Sequence, residues 1–480
     1  MGQKRTIYFN DTRHFYLFAL DPPLSMEQIL LPIAEATGTS VDTFAFSVDG
    51  GNGLFYPSNA GLRYAALDPT PMQGSYDWRA RRILQDLDDQ ELDILTLLID
   101  EAHHGGMDFF ASLRMGAYLG VDPNKLVING GKGLGHPELR DDRFAVLQEL
   151  ATQYDIQGVE LDLAAPGGTT WHFPKNEGPQ YAPVMTEYLG QIADMMRRRP
   201  GQPGQVGVRV YPTEEMCLRH GLDVRTWFKA GIVDWVMPML YSYFVLDADM
   251  PIEWLTEAAA EAGVSVYARL QPWEQDESTG ALQRIHADPA TLRGAACNFL
   301  DKGVDGIYAH SLSWPLGDTE RGVLAELGDR QRLQQGDKRY VIRRRQQEAA
   351  ALGYDAPLPF EIPAADPNKR YPISLLIADD IDGQTDRIRQ VILTLKVLST
   401  VSQDNLILLL NGQSLAAETC LKRPRDPIAP YDGLELEYHL EKVRPHQGRN
   451  LLEITLASRP DGLIGGLSIE AIELSVVYHS

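Results

Sequence analysis

Two carboxylates stand two residues apart in the stretch Tyr154–Pro166, which reads Tyr-Asp-Ile-Gln-Gly-Val-Glu-Leu-Asp-Leu-Ala-Ala-Pro. Val159, Leu161 and Leu163 interleave with Glu160 and Asp162. As a strand, this segment sends both acids to one side and the aliphatic groups to the other. Paired acids at the end of a buried parallel strand are costly unless they have partners or a task. Glycosidic cleavage supplies such a task. One carboxyl protonates the leaving oxygen while the other acts as nucleophile, base or electrostatic stabiliser. Glu160 is expected as the general acid/base and Asp162 as its partner. The alternative is structural, with one acid bonded to a neighbouring strand and the other solvated at the rim.

The elements that would hold this pair alternate regularly. Strand candidates are Arg5–Phe9, Thr43–Val48, Met107–Met115, Gly158–Leu163, Gln205–Tyr211, Val233–Leu240, Val264–Leu270 and Gly306–Leu312. Helical segments separate them, among them Ser25–Glu35, a long helical region over roughly Asp77–His104, Pro137–Gln153 and Tyr181–Arg198. Short, apolar, β-branched strands between helices predict parallel pairing with both faces covered. About eight such units close into a (β/α)8 TIM barrel, α/β in class. No G-x-G-x-x-G follows the first strand, so a dinucleotide fold has no support.

Composition changes after the barrel. Lys338–Gln347 is basic, and Ala349–Asn368 is rich in Ala and Pro, the pattern of a linker. From Arg370 helical patterning fades. Strand candidates Tyr371–Ala378, Arg389–Val397, Asn405–Leu410, Leu434–Leu440, Leu451–Leu456 and Leu467–Val477 are divided by turn pairs such as Asn411-Gly412 and Asp461-Gly462. They predict a small antiparallel β-sandwich. The expected organisation is a catalytic barrel at 1–345, a linker at 346–369 and a sandwich at 370–480.

In such a barrel, reacting groups gather where the strands end and the following loops begin. Besides the acid pair, those positions hold Asp49, Arg114, Arg209, Tyr211, Tyr241, Arg269, Trp273, His310 and Trp314. Aromatic faces stack on pyranose rings, and charged groups bond hydroxyls, so these residues are expected to bind a carbohydrate substrate. Three arginines also suit an acidic sugar, or they neutralise strand-end carboxylates. His310 on an apolar strand also reads as a core histidine, and Tyr241 and Trp314 as rim packing. His103-His104 reads as a helix end rather than a metal site. No cofactor is implied, because no segment cradles a phosphate or collects metal ligands.

The barrel half resembles the hypothetical glycoside-hydrolase-like (family-10-like) barrel proteins. The resemblance lies in Gly38-Thr39-Ser40-Val41-Asp42-Thr43, in Ala102–Met115 (Ala-His-His-Gly-Gly-Met-Asp-Phe-Phe-Ala-Ser-Leu-Arg-Met), in Gly158–Asp162 and in Val233-Asp234-Trp235-Val236-Met237-Pro238. More distantly it is similar to chitinase-type (family 18) hydrolases, whose fourth-strand acids, sixth-strand tyrosine and eighth-strand tryptophan match Glu160/Asp162, Tyr241 and Trp314. The acid which that family carries after its D-x-D pattern is absent, since Ala164 and Ala165 follow Leu163. The resemblance implies a glycosidase of oligo- or polysaccharides. A carbohydrate-binding protein without catalysis is the alternative, as is a polysaccharide lyase with Tyr241 or His310 as base.

The 480-residue chain carries a formal charge of −22 with a pI of about 4.9, which argues against a nucleic-acid partner. The three cysteines, Cys217, Cys297 and Cys420, are far apart and make neither a disulfide framework nor a zinc set. No run approaches the ~20 apolar residues of a membrane span. Met1–Asn10 is polar and basic with no signal peptide before it, the pattern of an intracellular chain or of a secreted one whose leader was removed.

Overall fold

The first strands are short runs of β-branched and aromatic residues buried along nearly their whole length, as parallel strands covered on both faces must be. The computed structural model describes residues 4–51, 53–64, 74–118, 120–164, 171–199, 201–240, 245–275, 284–310, 312, 314–424 and 433–479. The chain divides into two compact units. The first comprises residues 1–242, 251–269 and 303–328, and the second residues 243–250, 270–302 and 329–480.

The strands in chain order are β1 (Arg5–Asp11), β2 (Thr43–Ser47), β3 (Asp108–Arg114), β4 (Gly158–Asp162), β5 (Gln205–Val210), β6 (Trp235–Pro238) and β7 (Ser265–Leu270). A hairpin of β8 (Trp273–Gln275) and β9 (Arg284–His286) precedes β10 (Gly306–His310). Strands β1 to β7 and β10 close into a barrel in the order β1-β10-β7-β6-β5-β4-β3-β2. The strand limits follow the apolar runs closely. The hairpin was not expected from the sequence.

Helices intervene: α1 (Met26–Ala34), α2 (Ser75–Asp89), α3 (Ile94–His104), α4 (Pro137–Gln153), α5 (Gly178–Arg197), α6 (Glu214–Arg219), α7 (Val224–Lys229), α8 (Glu253–Ala262), α9 (Pro289–Asp301) and α10 (Asp318–Leu327). The long helical region expected over 77–104 holds two helices, α2 and α3. Glu91 adopts φ 55°, which an L-residue cannot carry inside a right-handed helix. Asp93 then caps the second helix by accepting from Leu95 N at 3.0 Å. No helix among the described residues is long and apolar enough to cross a membrane.

Inside the barrel, inward side chains stack in layers. Near the strand starts, Arg5 bonds Asp108 Oδ2 at 2.6 Å and Thr43 Oγ1 at 2.7 Å, beside the Phe110 and Tyr267 rings. Above lie Trp235, Phe9 and Tyr308. Gly207 makes room for them, since a Cβ there would stand 2.0 Å from Trp235 Cζ2. The expected result of Gly207→Ala is a loss of about 1–3 kcal/mol from overpacking, read by denaturant unfolding. An unchanged midpoint would show that the indole shifts freely.

The second unit is a sandwich of two antiparallel sheets, built from β11 (Lys338–Val341), β12 (Phe360–Ile362), β13 (Tyr371–Ile377), β14 (Ile388–Leu398), β15 (Asn405–Leu410), β16 (Gln413–Ser414), β17 (Cys420–Pro424), β18 (Gly433–His439), β19 (Gly448–Ser458) and β20 (Leu467–Tyr478). One sheet runs β11-β20-β14-β18-β17 with β12 also on β20, and the other β13-β19-β15-β16. Alternating burial along β14 and β20 is the signature of one core-facing side.

The segment 346–369 is corrected from a linker to a structured part of this unit. It contains α12 (Gln347–Ala351), which follows α11 (Arg330–Leu333), and it contains β12. Buried Leu358 and the Tyr354 hydroxyl, which donates to Asp247 Oδ2 at 2.6 Å, tie it down. The basic run before it forms β11, whose partner is β20. Helix α9 lies against β11, so close that a Cβ on Gly294 would stand 2.7 Å from the Arg339 carbonyl oxygen. The second unit therefore takes in residues on both sides of the expected boundary.

Candidate active site

Register sets the site. Glu160 is level with Ser112 and Gly207, whereas Asp162 is level with Arg114 and Arg209. The acids therefore point the same way but occupy successive layers, with Asp162 nearer the strand ends. Arg209 bridges the two. Its Nε donates to Glu160 Oε1, and its Nη1 donates to Asp162 Oδ2 at 3.1 Å. Its Nη2 donates to Ser112 Oγ at 3.3 Å and Tyr308 Oη at 3.1 Å, and the guanidinium lies 4.2 Å from the Phe9 ring centroid.

The two acids differ in what remains open to them. Glu160 is 0% exposed, and its second oxygen accepts from the Tyr308 hydroxyl at 2.6 Å. A substrate oxygen reaches that carboxylate only if Arg209 or Tyr308 moves. Asp162 is 5% exposed, and its Oδ1 has no hydrogen-bond partner among the described residues. An acceptor left this way is expensive to bury.

A second ion cluster occupies the ends of β1 to β3. Arg114 donates to Asp11, to Ser47 Oγ at 2.8 Å and to Asp49 Oδ1 at 3.0 Å. Asp49 Oδ2 accepts from the Arg114 backbone N–H at 2.9 Å, and its Oδ1 also accepts from Gly51 N. Asp49 and Arg114 are thus engaged with each other. Asp11 was not anticipated, although its place two residues beyond inward-facing Phe9 marks it. Burial would raise its carboxyl, but Arg114 and Arg13 hold it well below the usual range.

The third arginine stands apart. Arg269 donates to His310 Nδ1 at 2.6 Å, to the Leu240 carbonyl at 3.4 Å and to Met239 Sδ at 3.0 Å. Because a guanidinium only donates, His310 presents Nδ1 as an acceptor. Burial, then Arg269 and Arg209, push the His310 imidazole well down, so it is neutral at pH 7. For Arg209, burial is overcome by Glu160, Tyr308 and Asp162, which raise it.

Aromatic rings lead outward from His310. His310 stacks on Phe9 at 4.7 Å, and His14 lies 6.2 Å from His310. Trp314 stacks on His14 at 4.9 Å, Phe18 lies 6.5 Å from Trp314, and Tyr76 meets Phe18 edge-on at 4.9 Å. Tyr76 is 53% exposed. A separate aromatic group adjoins Asp162. Buried Tyr211 packs on His220 at 4.7 Å, Trp171 stacks on His220 at 4.6 Å, and His172 Nε2 lies 3.0 Å from the Leu163 carbonyl oxygen.

Of the expected residues, Glu160, Asp162 and Arg209 meet in one network, Asp49 and Arg114 in a second, and Arg269 and His310 in a third. Trp314 lies on the aromatic file. Trp273 belongs to the second unit, where it packs on His286 at 4.3 Å. Tyr241 lies outside the described residues. Tyr308, Ser112 and His14 were not singled out in the sequence. Tyr308 carried a signal, being two residues before His310 on an inward-facing register. Among the described residues, no group of three or more His, Cys, Asp or Glu side chains is arranged to hold a metal ion.

The fold is thus a closed (β/α)8 barrel with charged groups at its strand ends, accompanied by a β-sandwich. No protein-family model matches the sequence, and no curated protein does. Among solved structures, the chain is similar to alpha-L-fucosidase isoenzyme 2 from Paenibacillus thiaminolyticus, at 12% identity over 68% of this chain and 48% of that one, with a TM-score of 0.43. It is also similar to a Bacillus cereus spore cortex-lytic enzyme, at 9% identity over 68% and 75%, with a TM-score of 0.38. A third is a Paenibacillus sp. cycloisomaltooligosaccharide glucanotransferase, at 9% identity over 98% and 57%, with a TM-score of 0.35. The chain therefore spans about half the length of the first and the third of these. At such identities and scores the likeness carries nothing about substrate or mechanism.

Proposed function

We propose that this chain is a carbohydrate-active barrel enzyme that hydrolyses a glycosidic bond in an oligo- or polysaccharide. The observation that carries the reading is Asp162 Oδ1 at the end of β4, unpartnered among the described residues and beside an oxygen held by Arg209. A substrate hydroxyl, glycosidic oxygen or anomeric carbon is the natural occupant of that position. In this reading Asp162 acts on the reacting bond as proton donor or nucleophile. Glu160 serves from beneath, fixing Arg209 and so aiming Asp162. This differs from the expectation drawn from spacing alone, which gave Glu160 the acid role. Tyr211, His310 and Trp314 supply ring and hydroxyl contacts, while Asp49, Arg114 and Arg209 hold the strand ends in place.

The file from His310 to Tyr76 supports a sugar as ligand, because pyranose faces stack on such rings. The test is reducing-end release from a panel of neutral and acidic oligosaccharides. Trp314→Ala is expected to weaken substrate affinity roughly tenfold, the ~1.4 kcal/mol that one stacking face supplies. No release from any member sinks the hydrolytic reading. Binding by calorimetry without release supports the second reading, a carbohydrate-binding protein, which the closed-in Glu160 favours.

A further inference from the structure

The barrel interior carries three arginines near its strand ends, and among the described residues only two of them have carboxylate partners. Arg114 is bonded to Asp11 and Asp49, and Arg209 to Glu160 and Asp162. Arg269 is 1% exposed, and no carboxylate among the described residues lies within ion-pair distance of it. Its acceptors are a neutral imidazole, a carbonyl and a thioether. Its Nε has no partner among the described residues. Of the five N–H groups of a guanidinium, these three contacts leave two over, Nε–H one of them.

Such a group is out of keeping with its surroundings. A buried cation is ordinarily paired. Burial, with Arg209 nearby, pulls the Arg269 guanidinium down to about 9, so it is still charged at neutral pH. His310 brings no balancing charge, and Glu160 and Asp162, both bonded to Arg209, act on Arg269 only through space. The cation sits at the end of β7, the side of the barrel on which ligands bind.

We infer that Arg269 receives the anionic group of an acidic sugar, a uronate carboxylate or a sulfate ester, with its Nε–H donating to one oxygen of that anion. The inference rests on the carbohydrate reading above and specifies its substrate class. His310 then acts as a positioning residue, because its Nδ1 fixes the plane of the guanidinium. An anion there would complete the pairing that the other two arginines already have.

Calorimetric titration of the full chain tests this with three trisaccharides: a galacturonate, a sulfated galactan and a neutral galactan. In the wild-type chain, at least one acidic trisaccharide is expected to bind roughly 10–100-fold tighter than the neutral one, the range of a charge-assisted hydrogen bond. The uronate and sulfate arms tell which anion it is. Arg269→Met is expected to bring acidic and neutral affinities together, with the acidic one falling by the larger factor. It is also expected to fold at least as stably, because replacing buried charge by hydrocarbon is often neutral or stabilising. If Arg269→Met does not fold, Arg269→Lys, which keeps charge but not the planar fork, is expected to retain a reduced preference. Equal wild-type affinities for acidic and neutral sugars overturn the inference and leave the glycosidase reading standing. An acidic preference that survives Arg269→Met overturns the assignment to Arg269. Binding of no sugar at all overturns both.

Discussion

Asp162→Asn is expected to lower kcat/KM on an active oligosaccharide by roughly 10³-fold, within the ~10²–10⁴ range of a positioned acid, base or nucleophile. The variant keeps the shape of the side chain and an oxygen for Arg209 Nη1, so folding is expected to survive. Lost with the carboxylate are proton donation, attack on carbon and the charge that pairs with Arg209. Glu160→Gln makes the contrast. Its carboxylate lies under Arg209 and Tyr308 with no exposed surface. Its loss is expected to appear first as reduced stability, with measurable turnover remaining. Steady-state kinetics and thermal unfolding on both variants decide this. The assignment of roles fails if Glu160→Gln abolishes turnover with stability intact while Asp162→Asn is near-normal.

The largest expected effect on stability belongs to Arg209→Met. Arg209 is 3% exposed and is the only cation bonded to Glu160 among the described residues. Removing it strands a fully buried carboxylate with the Tyr308 hydroxyl as its remaining donor there. Breaking a buried pair by deleting one partner costs about 3–5 kcal/mol, because an uncompensated charge is left behind. Denaturant unfolding followed by tryptophan fluorescence reads this directly, since Trp235 lies in the same interior, 6.4 Å from the Tyr308 ring. Adding Glu160→Gln to Arg209→Met is expected to recover much of the loss, because the stranded charge goes with it. A double variant no more stable than Arg209→Met would show that the cost is packing, such as the lost contact with the Phe9 ring, and not charge.

Much of the barrel was legible in the residue order. Parallel strands buried on both faces must be apolar runs, and Phe109–Leu113 or Val206–Val210 can be little else. The sandwich strands were legible through alternation and through Asn411-Gly412, where both residues take positive φ. The acid pair was legible because side-chain period two is a local property. What it faces was not. Arg209 meets Glu160 and Asp162 because β5 lies beside β4 in a register that leaves Asp162 level with Arg209. In a barrel the stagger between neighbouring strands is tied to closure of the whole sheet, which a single strand's sequence does not show. For the same reason Asp11 went unnoticed, though its pairing with Arg114 joins residues 103 positions apart. The misread linker has a different cause. Its Ala and Pro content resembles a solvated tether, but Ala349, Tyr354, Leu358 and Ile362 are buried in the second unit, and scattered anchors of this kind carry no helical or strand period.

Chemical rescue tests the central assignment most directly. Asp162→Gly and Glu160→Gly would each be assayed on an aryl glycoside of the sugar that the panel identifies, with and without azide or formate. If Asp162 touches the reacting bond, the small anion replaces its carboxylate, and activity of Asp162→Gly recovers by at least about tenfold, with no recovery for Glu160→Gly. Rescue of Glu160→Gly alone would contradict the account and return the reactive role to the deeper acid.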